Sequence, residues 1–285
     1  MNDMFFRDRI QDGSKYLRDR SSLIGHARNV ILPNDETELR EGIRYASKGN
    51  TKVTISGNRT GSSGGAVPTG GDIMSMEYLR GVIGVGQDEN GVFIRALPCT
   101  TVSMFNDMVT HSNLEVLCGD PCSYKDLRFP IKADPMSTIG GCISANRCDV
   151  RRFVRRIKVV FSDSTFVIIE RGEYKADDGR MVFAAGRNYY SFNLPDYESD
   201  GSVGPKISKD MDLIDLFIGS EGIFGIITEA DIYIADSVQD VEFSESGKMS
   251  NNLIKEKYGQ EAVNDLIRIK GILDANYILN VGNLF

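Results

Sequence analysis

The sequence contains no apolar run long enough to cross a membrane, for which about 20 residues would be needed. Residues 1–20 interrupt their short apolar run with charges, so they lack the apolar core of a signal peptide. Cytoplasmic residence is therefore expected. The chain also has no excess of positive charge, because its formal net charge is -7. An acidic surface disfavours binding to nucleic acid or anionic lipid, which makes a small molecule the expected partner.

Histidine and cysteine are scarce, with two and five residues respectively in 285. His26 and His111 lie outside every motif and are expected to have structural or surface roles. Cys118 and Cys122 have no nearby histidine to complete a tetrahedral zinc site. The sequence therefore predicts no metal site.

Neither G-x-G-x-x-G nor the P-loop pattern occurs, which disfavours the two common nucleotide-binding motifs. The chain instead predicts a strand at 29–33, a helix at 35–48 and a strand at 52–56, which together form a βαβ unit with parallel strands. A glycine-rich loop, GNRTGSSGGAVP at 57–68, follows directly. Such a loop can form a nest of backbone N–H groups around a pyrophosphate, although a flexible surface loop is the alternative.

The remaining pattern is mixed rather than alternating, which favours an α+β class. Strands are predicted at 92–96, 157–161, 165–169 and 226–234, and a helix at 102–109. Residues 170–210 have little periodicity and are expected to be irregular. An amphipathic helix is predicted at 252–273, followed by an extended tail.

Two further segments combine glycines and hydroxyls with apolar residues. They are STIGGCISAN at 137–146 and GSEGIFGIIT at 219–228. Three such loops, far apart in sequence, could converge on one extended polyanionic cofactor, with each loop supplying backbone donors to a different part of it.

The order GNRTGSSGGAVP, ALPCTT, STIGGCISAN and MDLIDLFIGSEGIFGIITEA resembles the FAD-binding domain of the vanillyl-alcohol oxidase and p-cresol methylhydroxylase superfamily, in particular its glycolate oxidase and D-lactate dehydrogenase branch. The resemblance covers about residues 16–235, and LIRIKGILDANYILNVGNLF at 266–285 also resembles the extreme C-terminal end of full-length family members. It implies a two-lobed α+β domain, with a small parallel βαβ lobe, a mixed or antiparallel sheet lobe and a C-terminal helix. The implied organisation is an N-terminal extension at 1–28, the FAD domain at 29–235, a linker at 236–251 and the helix with its tail at 252–285.

The resemblance also implies which residues contact FAD. Its pyrophosphate would be held by Gly57, Asn58, Arg59, Thr60, Gly61 and Ser62. Pro98 would mark a turn near the cofactor, and the middle of the FAD would be lined by Thr138, Gly140, Gly141 and Ser144. Ile227 would meet it through its backbone. The first loop contains no histidine, so noncovalent binding is expected. Arg59 and Cys99 stand where relatives usually have glycine; Arg59 would lie beside the phosphates or face solvent.

Other positions depart from the family pattern. The linker at 236–251 takes the place of a large cap domain, and no histidine follows Ala235 to supply the histidine-rich motif of that cap. The segments after Asn146 and Lys206 are also shorter than in relatives. Two hypotheses follow. One is an FAD-dependent enzyme that oxidises a 2-hydroxy acid by hydride transfer to flavin, with a partner subunit or second copy covering the flavin. The other is an FAD-binding subunit or degenerate relative with little or no catalysis. No catalytic residue is assigned.

Overall fold

A computed structural model describes residues 7–11, 13–111, 127–238 and 251–282. The strands are β1 Arg7–Arg9, β2 Asn29–Ile31, β3 Val53–Ser56, β4 Asp72–Ser75, β5 Val82–Asp88, β6 Gly91–Ala96, β7 Val154–Val160, β8 Phe166–Glu170, β9 Arg180–Ala185, β10 Asn188–Asn193 and β11 Ile226–Tyr233. The helices are α1 Glu36–Lys48, α2 Val102–His111, α3 Ile139–Ser144, α4 Ile214–Phe217, α5 Asn251–Tyr258 and α6 Gln260–Leu273, with 3-10 turns at Lys15–Leu17 and Arg147–Phe153.

The small lobe is a four-stranded sheet in the order β1-β2-β4-β3. Strands β2 and β3 both run parallel to β4, so the predicted βαβ unit is confirmed, with β4 inserted between its two strands. Helix α1 begins after Asp35, whose carboxylate accepts a hydrogen bond from the backbone N–H of Glu38 at 2.9 Å. Leu39, Ile43 and Ala46 lie on one helix face and are fully buried, which fixes α1 against the sheet.

The larger lobe is built on a five-stranded antiparallel sheet in the order β5-β6-β11-β7-β8. Strand β11 alternates: Ala230 and Ile232 point into the core, whereas the buried carboxylate of Asp231 on the other face pairs with Arg95 at 2.7 Å. Phe105 of α2 and Leu266 of α6 belong to the same buried cluster as these apolar strand residues. The predicted α+β class and its two sheet lobes are confirmed.

Three expectations from the sequence were wrong in detail. The stretch at 170–210 is not wholly irregular, because β9 and β10 form a hairpin there. The C-terminal helix is broken at Gly259, whose φ of +88° is a left-handed conformation that ends α5 before α6 begins. The tail is not extended; residues 274–282 turn back and pair Leu279 with Val53 of β3. We refer to residues 274–282 as the C-terminal tail.

The two lobes meet where β3 of the small lobe approaches β7 and β11 of the larger one. Val160 and Ile226 share a buried cluster with the apolar residues of α1 and β3. A salt bridge between Lys158 and Glu36 at 2.7 Å also crosses the junction. The loops that follow β3 and precede β11 are therefore held close to each other.

Candidate functional site

The first glycine loop lines a cavity of about 170 Å³ at the junction of the lobes. Of the predicted pyrophosphate residues, Gly57, Asn58, Arg59, Thr60 and Gly61 line this cavity. Ser62 does not; it is exposed. The next residue, Ser63, lines the cavity in its place.

The second glycine loop packs directly against the first. A Cβ added at Gly57 would lie 2.8 Å from Oγ1 of Thr138, so the approach of these loops leaves no room for a side chain at Gly57. A Cβ at Gly140 would lie 3.0 Å from both the Cβ and the carbonyl oxygen of Pro98. Thr138, Gly140, Gly141, Ser144 and Pro98 all line the cavity. The structure therefore brings these predicted residues together.

The glycines of the second loop contribute space rather than hydrogen-bond donors. The N–H of Gly140 donates to the carbonyl of Pro98 at 2.8 Å, and the N–H of Gly141 donates to Oγ1 of Thr138 at 3.2 Å. Both donors are consumed within the protein. The expectation that every glycine loop offers free N–H groups is wrong at these two positions, because Thr138 caps the short helix α3.

The third glycine loop is joined to the second through the end of α3. The N–H of Gly219 donates to the carbonyl of Ile143 at 3.0 Å, and the N–H of Glu221 donates to that of Ser144 at 2.9 Å. Ile227, predicted to meet the cofactor, lines the cavity. Eleven of the twelve predicted positions thus border one cavity, and Ser62 is the exception.

The first loop differs from the second in its free donors. Within the described part of the chain, the backbone N–H groups of residues 58–64 have no protein acceptor. Residues 58–61 and 63 of this run line the cavity, and unpaired backbone donors beside a cavity form the arrangement that binds an anion. The hydroxyl groups of Thr60 and Ser137, 3.1 Å apart, lie beside these donors. These features fit a phosphate group.

Arg59 adds a positive charge to this loop. Its φ of +57° is left-handed, a conformation that glycine adopts without strain. Its guanidinium donates to the carbonyl of Gly57 at 3.0 Å and to Oγ of Ser56 at 3.3 Å, and it stacks over Tyr16. The side chain is therefore held along the cavity wall and does not extend into solvent.

The acidic side chains of Asp19 and Glu221 also line the cavity, and neither was predicted from the sequence. Burial is the larger cause and the nearby carboxylate of Asp19 the smaller one; together they raise the pKa of Glu221 to about 7. When both carboxylates are ionised, they repel an anionic ligand and so disfavour its binding. Because the pKa of Glu221 is raised to about 7, this side chain is largely neutral in mildly acidic solution, and the repulsion is then reduced.

The C-terminal tail supplies another unpredicted residue. Asn280 lines the cavity, and its side-chain amide joins the backbone of Ile55 to that of Glu221. Asp19 and Asn280 lie in segments without a glycine pattern, so no local signal marked them. The similarity of the tail to the family's C-terminal end was the available clue for Asn280.

The other sequence candidates, His26, His111 and Cys99, are not among the residues that line the cavity. The backbone of His26 forms an isolated parallel β-bridge with that of Thr69. Nδ1 of His111 lies 2.6 Å from the carbonyl oxygen of Asp107. Cys99 is buried. Cys118 and Cys122 fall outside the described residues, as do positions 239–250 of the predicted linker. No helix in the described ranges is both long and apolar enough to span a bilayer.

The chain is similar in sequence to curated proteins, although at low identity. No family model matches the chain. The chain is 23% identical over 229 residues to a D-lactate dehydrogenase of Anaerostipes hadrus, a match that covers 79% of this chain and 40% of that protein. It is also 23% identical over 222 residues to a D-lactate dehydrogenase of Archaeoglobus fulgidus, covering 74% and 40% respectively. These matches confirm the resemblance seen in the sequence.

The chain spans about 40% of the length of the curated relatives that it matches. Among solved structures, two of alkyldihydroxyacetonephosphate synthase align with a TM-score of 0.47. They are 13% and 14% identical to this chain, and the alignments cover 74% of it and 32% and 33% of those chains.

Proposed function

We propose that the chain binds FAD noncovalently in this cavity and forms the flavin domain of an oxidoreductase that oxidises a 2-hydroxy acid of the D-lactate or glycolate class. The observation that carries the proposal is the convergence of three glycine-rich loops, distant in sequence, on one cavity between two sheet lobes. The sequence match to two D-lactate dehydrogenases supports it and favours the substrate class.

The pyrophosphate of FAD is assigned to the first loop. Residues 58–64 offer free N–H groups within the described chain, and Arg59 supplies a guanidinium suited to phosphate oxygens. The second and third loops are assigned to the middle of the cofactor. The absence of a Cβ at Gly140 and Gly141 lets Pro98 and Thr138 pack closely against the second loop, which shapes this part of the cavity. Ile227 would meet the cofactor through its backbone.

The size of the cavity limits what it can enclose. Its volume of about 170 Å³ is below the roughly 300–1,000 Å³ typical of sites for drug-sized ligands. We therefore assign the enclosed part to the diphosphate and its immediate neighbours, and the two ends of the dinucleotide to the open surface on either side. An uncovered flavin would be shielded by a partner subunit or a second copy of the chain.

Bound FAD would supply the hydride acceptor for oxidation of the substrate. The protein residues identified above bind and orient the cofactor, and none of them is assigned to the substrate. The match covers less than half of each relative, so substrate recognition in the intact protein is part of the proposal.

The cofactor assignment is tested with the purified protein, reconstituted with FAD and examined for flavin absorbance and fluorescence quenching. We expect saturable binding that Gly57→Ala weakens by at least about tenfold, equivalent to about 1.4 kcal/mol, because the new Cβ would meet Oγ1 of Thr138 at 2.8 Å. Gly84→Ala is the matched control, since its Cβ would have ordinary contacts, 3.5 Å from Arg95, on β5. Failure of the wild-type chain to bind FAD would refute the proposal.

The reaction is tested separately by adding D-lactate or glycolate to the FAD-loaded protein without oxygen. Loss of the flavin absorbance in the visible range is expected for an oxidoreductase. A bound flavin that stays oxidised with both acids would instead identify the chain as a flavin-binding subunit without this catalysis.

A further inference from the structure

We infer that Asn280 is a positioning residue for the proposed FAD site: its side-chain amide sets the distance between the third glycine loop and the end of β3, which leads into the first glycine loop. The inference rests on the proposed function. The supporting observation is that one buried amide forms hydrogen bonds with two segments that border the cavity.

The Asn280 side chain is nearly inaccessible, and the residue is 4% exposed. Its Oδ1 accepts a hydrogen bond from the N–H of Ile55 at 2.6 Å, two residues before Gly57. Its Nδ2 donates to the carbonyl of Glu221 at 2.6 Å, in the third loop. A backbone N–H can only donate and a carbonyl can only accept, so the orientation of the amide is fixed by its partners.

Few residues could replace asparagine here. The position requires one acceptor and one donor on a short planar group, and its φ of +44° lies in the left-handed region that asparagine tolerates better than most residues. A Cβ at Gly222 would lie 2.6 Å from Nδ2 of Asn280, so the third loop approaches the amide as closely as glycine permits. The contact is therefore specific to this pair of residue types.

The tail that carries Asn280 is itself held at several points. The N–H of Asn280 donates to the carbonyl of Val53 at 2.8 Å, and the N–H of Val53 donates to that of Ile278 at 2.7 Å. Lys270, 2% exposed, donates to the carbonyls of Ile223 and Leu279 at 2.8 and 2.9 Å. These bonds join the tail to β3 on one side and to the third loop on the other.

The Asn280 amide lies between two residues that line the cavity, so it should affect cofactor binding as well as the stability of the fold. Ile55 lies two residues before the loop assigned to the pyrophosphate, and Ile55, Glu221 and Gly222 all line the cavity. Loss of the amide would release two cavity walls from each other while leaving the backbone bonds of the tail in place. Cofactor affinity should therefore fall by more than the stability of the fold predicts.

The test compares Asn280→Ala and Asn280→Asp with the wild-type chain, by FAD titration from pH 5 to pH 8 and by thermal unfolding without cofactor. Asn276→Ala is the matched control, because this asparagine lies in the same tail but is exposed and donates to Ser47, away from the cavity. We expect Asn280→Ala to raise the Kd for FAD at least tenfold at every pH. Asn276→Ala should leave the Kd within twofold of wild type.

Asn280→Asp gives the decisive comparison. At pH 8 the carboxylate cannot donate to the carbonyl of Glu221, so the Kd should be raised as in Asn280→Ala. Because the position is only 4% exposed, burial favours the neutral form of an aspartic acid there. As the pH is lowered toward 5 and the carboxyl is protonated, it can both accept from Ile55 and donate to Glu221, so the ratio of its Kd to that of wild type should fall toward one.

A ratio that does not change with pH, or an Asn280→Ala variant with wild-type affinity, would overturn the inference while leaving the proposed function intact. If the wild-type chain itself does not bind FAD, the proposed function fails and the inference fails with it.

Discussion

Replacement of Glu221 by glutamine should abolish a pH dependence of cofactor binding. Burial is the larger cause that raises the pKa of this carboxyl to about 7, and the carboxylate of Asp19 is the second. The side chain lines the same cavity as the loop assigned to the pyrophosphate. An ionised Glu221 would repel the phosphates, so FAD should bind more tightly to the protein in which Glu221 is protonated.

The size of the effect follows from the pKa. With a pKa of about 7, the protonated fraction falls from about 0.9 at pH 6 to about 0.1 at pH 8, so exclusive binding to the protonated form raises the Kd by about tenfold, or about 1.4 kcal/mol. The side chains of Arg59 and Arg147 also line the cavity. Burial raises the pKa of Cys142 to about 12, so its thiol stays neutral.

The assay is quenching of flavin fluorescence, titrated at half-unit steps from pH 5.5 to pH 8.5. In Glu221→Gln the Kd should stay nearly constant, close to the wild-type value at pH 6, because the amide is neutral throughout. Glu89→Gln, on the exposed turn between β5 and β6, is the control and should keep the wild-type slope. A wild-type Kd that is flat between pH 6 and pH 8, or a slope that survives in Glu221→Gln, would refute the reasoning.

The same shift affects the stability of the protein without cofactor. The pKa of Glu221 in the folded chain, about 7, lies above its ordinary value of 4.5. The folded state therefore holds this proton more tightly than the unfolded state does. The resulting stabilisation is fully present below pH 4.5 and is lost as the pH rises through 7. The free energy of unfolding of Glu221→Gln minus that of wild type should accordingly be more positive at pH 8 than at pH 5.

Two further substitutions test the supports of the site. Lys270→Met should destabilise the chain by about 3–5 kcal/mol in urea unfolding, because it leaves the buried carboxylate of Asp274 without its cation. Lys255→Met, at an exposed position of α5, is the control and should change stability little. Equal urea midpoints for Lys270→Met and wild type would contradict the role assigned to Lys270. Arg59→Gly should raise the Kd for FAD by roughly tenfold or more, the range of about 1.5–3 kcal/mol for a hydrogen bond to a charged group, with little loss of thermal stability because glycine relieves the left-handed backbone. An unchanged Kd would show that its guanidinium does not reach the cofactor.

The sequence predicted the elements with a clear hydrophobic period. The spacing of Leu39, Ile43 and Ala46 identified α1, and the alternation of 226–234 identified β11. Strand β4 was missed because its sequence, DIMS, carries polar residues at both ends, although all four of its residues are buried. Strand β5 was missed because its glycines interrupt the apolar pattern. The burial of β4 depends on its neighbours β2 and β3, which no local pattern reports, whereas β5 is an edge strand without a fully buried residue.

The parts of the site formed by glycine-rich loops could be predicted from the sequence. The side chains that reach the site from other parts of the chain could not. The three loops were identified because closely spaced glycines mark backbone that must approach another group. Asp19, Glu221 and Asn280 acquire their roles from tertiary contacts: a carboxylate near another carboxylate, a buried carboxyl, and an amide between two loops. A similarity to the family's C-terminal end indicated that the tail belongs to this domain, but not what it touches.

The C-terminal tail also has a consequence for association between molecules. Strand β3 is the last strand of the four-stranded sheet and would otherwise present unpaired backbone groups along its outer edge. The bridge between Leu279 and Val53, with the hydrogen bonds from Asn280 and to Ile278, covers that edge. Detachment of the tail would therefore expose a strand edge that could pair with another chain, so the segment that holds Asn280 also protects this sheet from edge-to-edge aggregation.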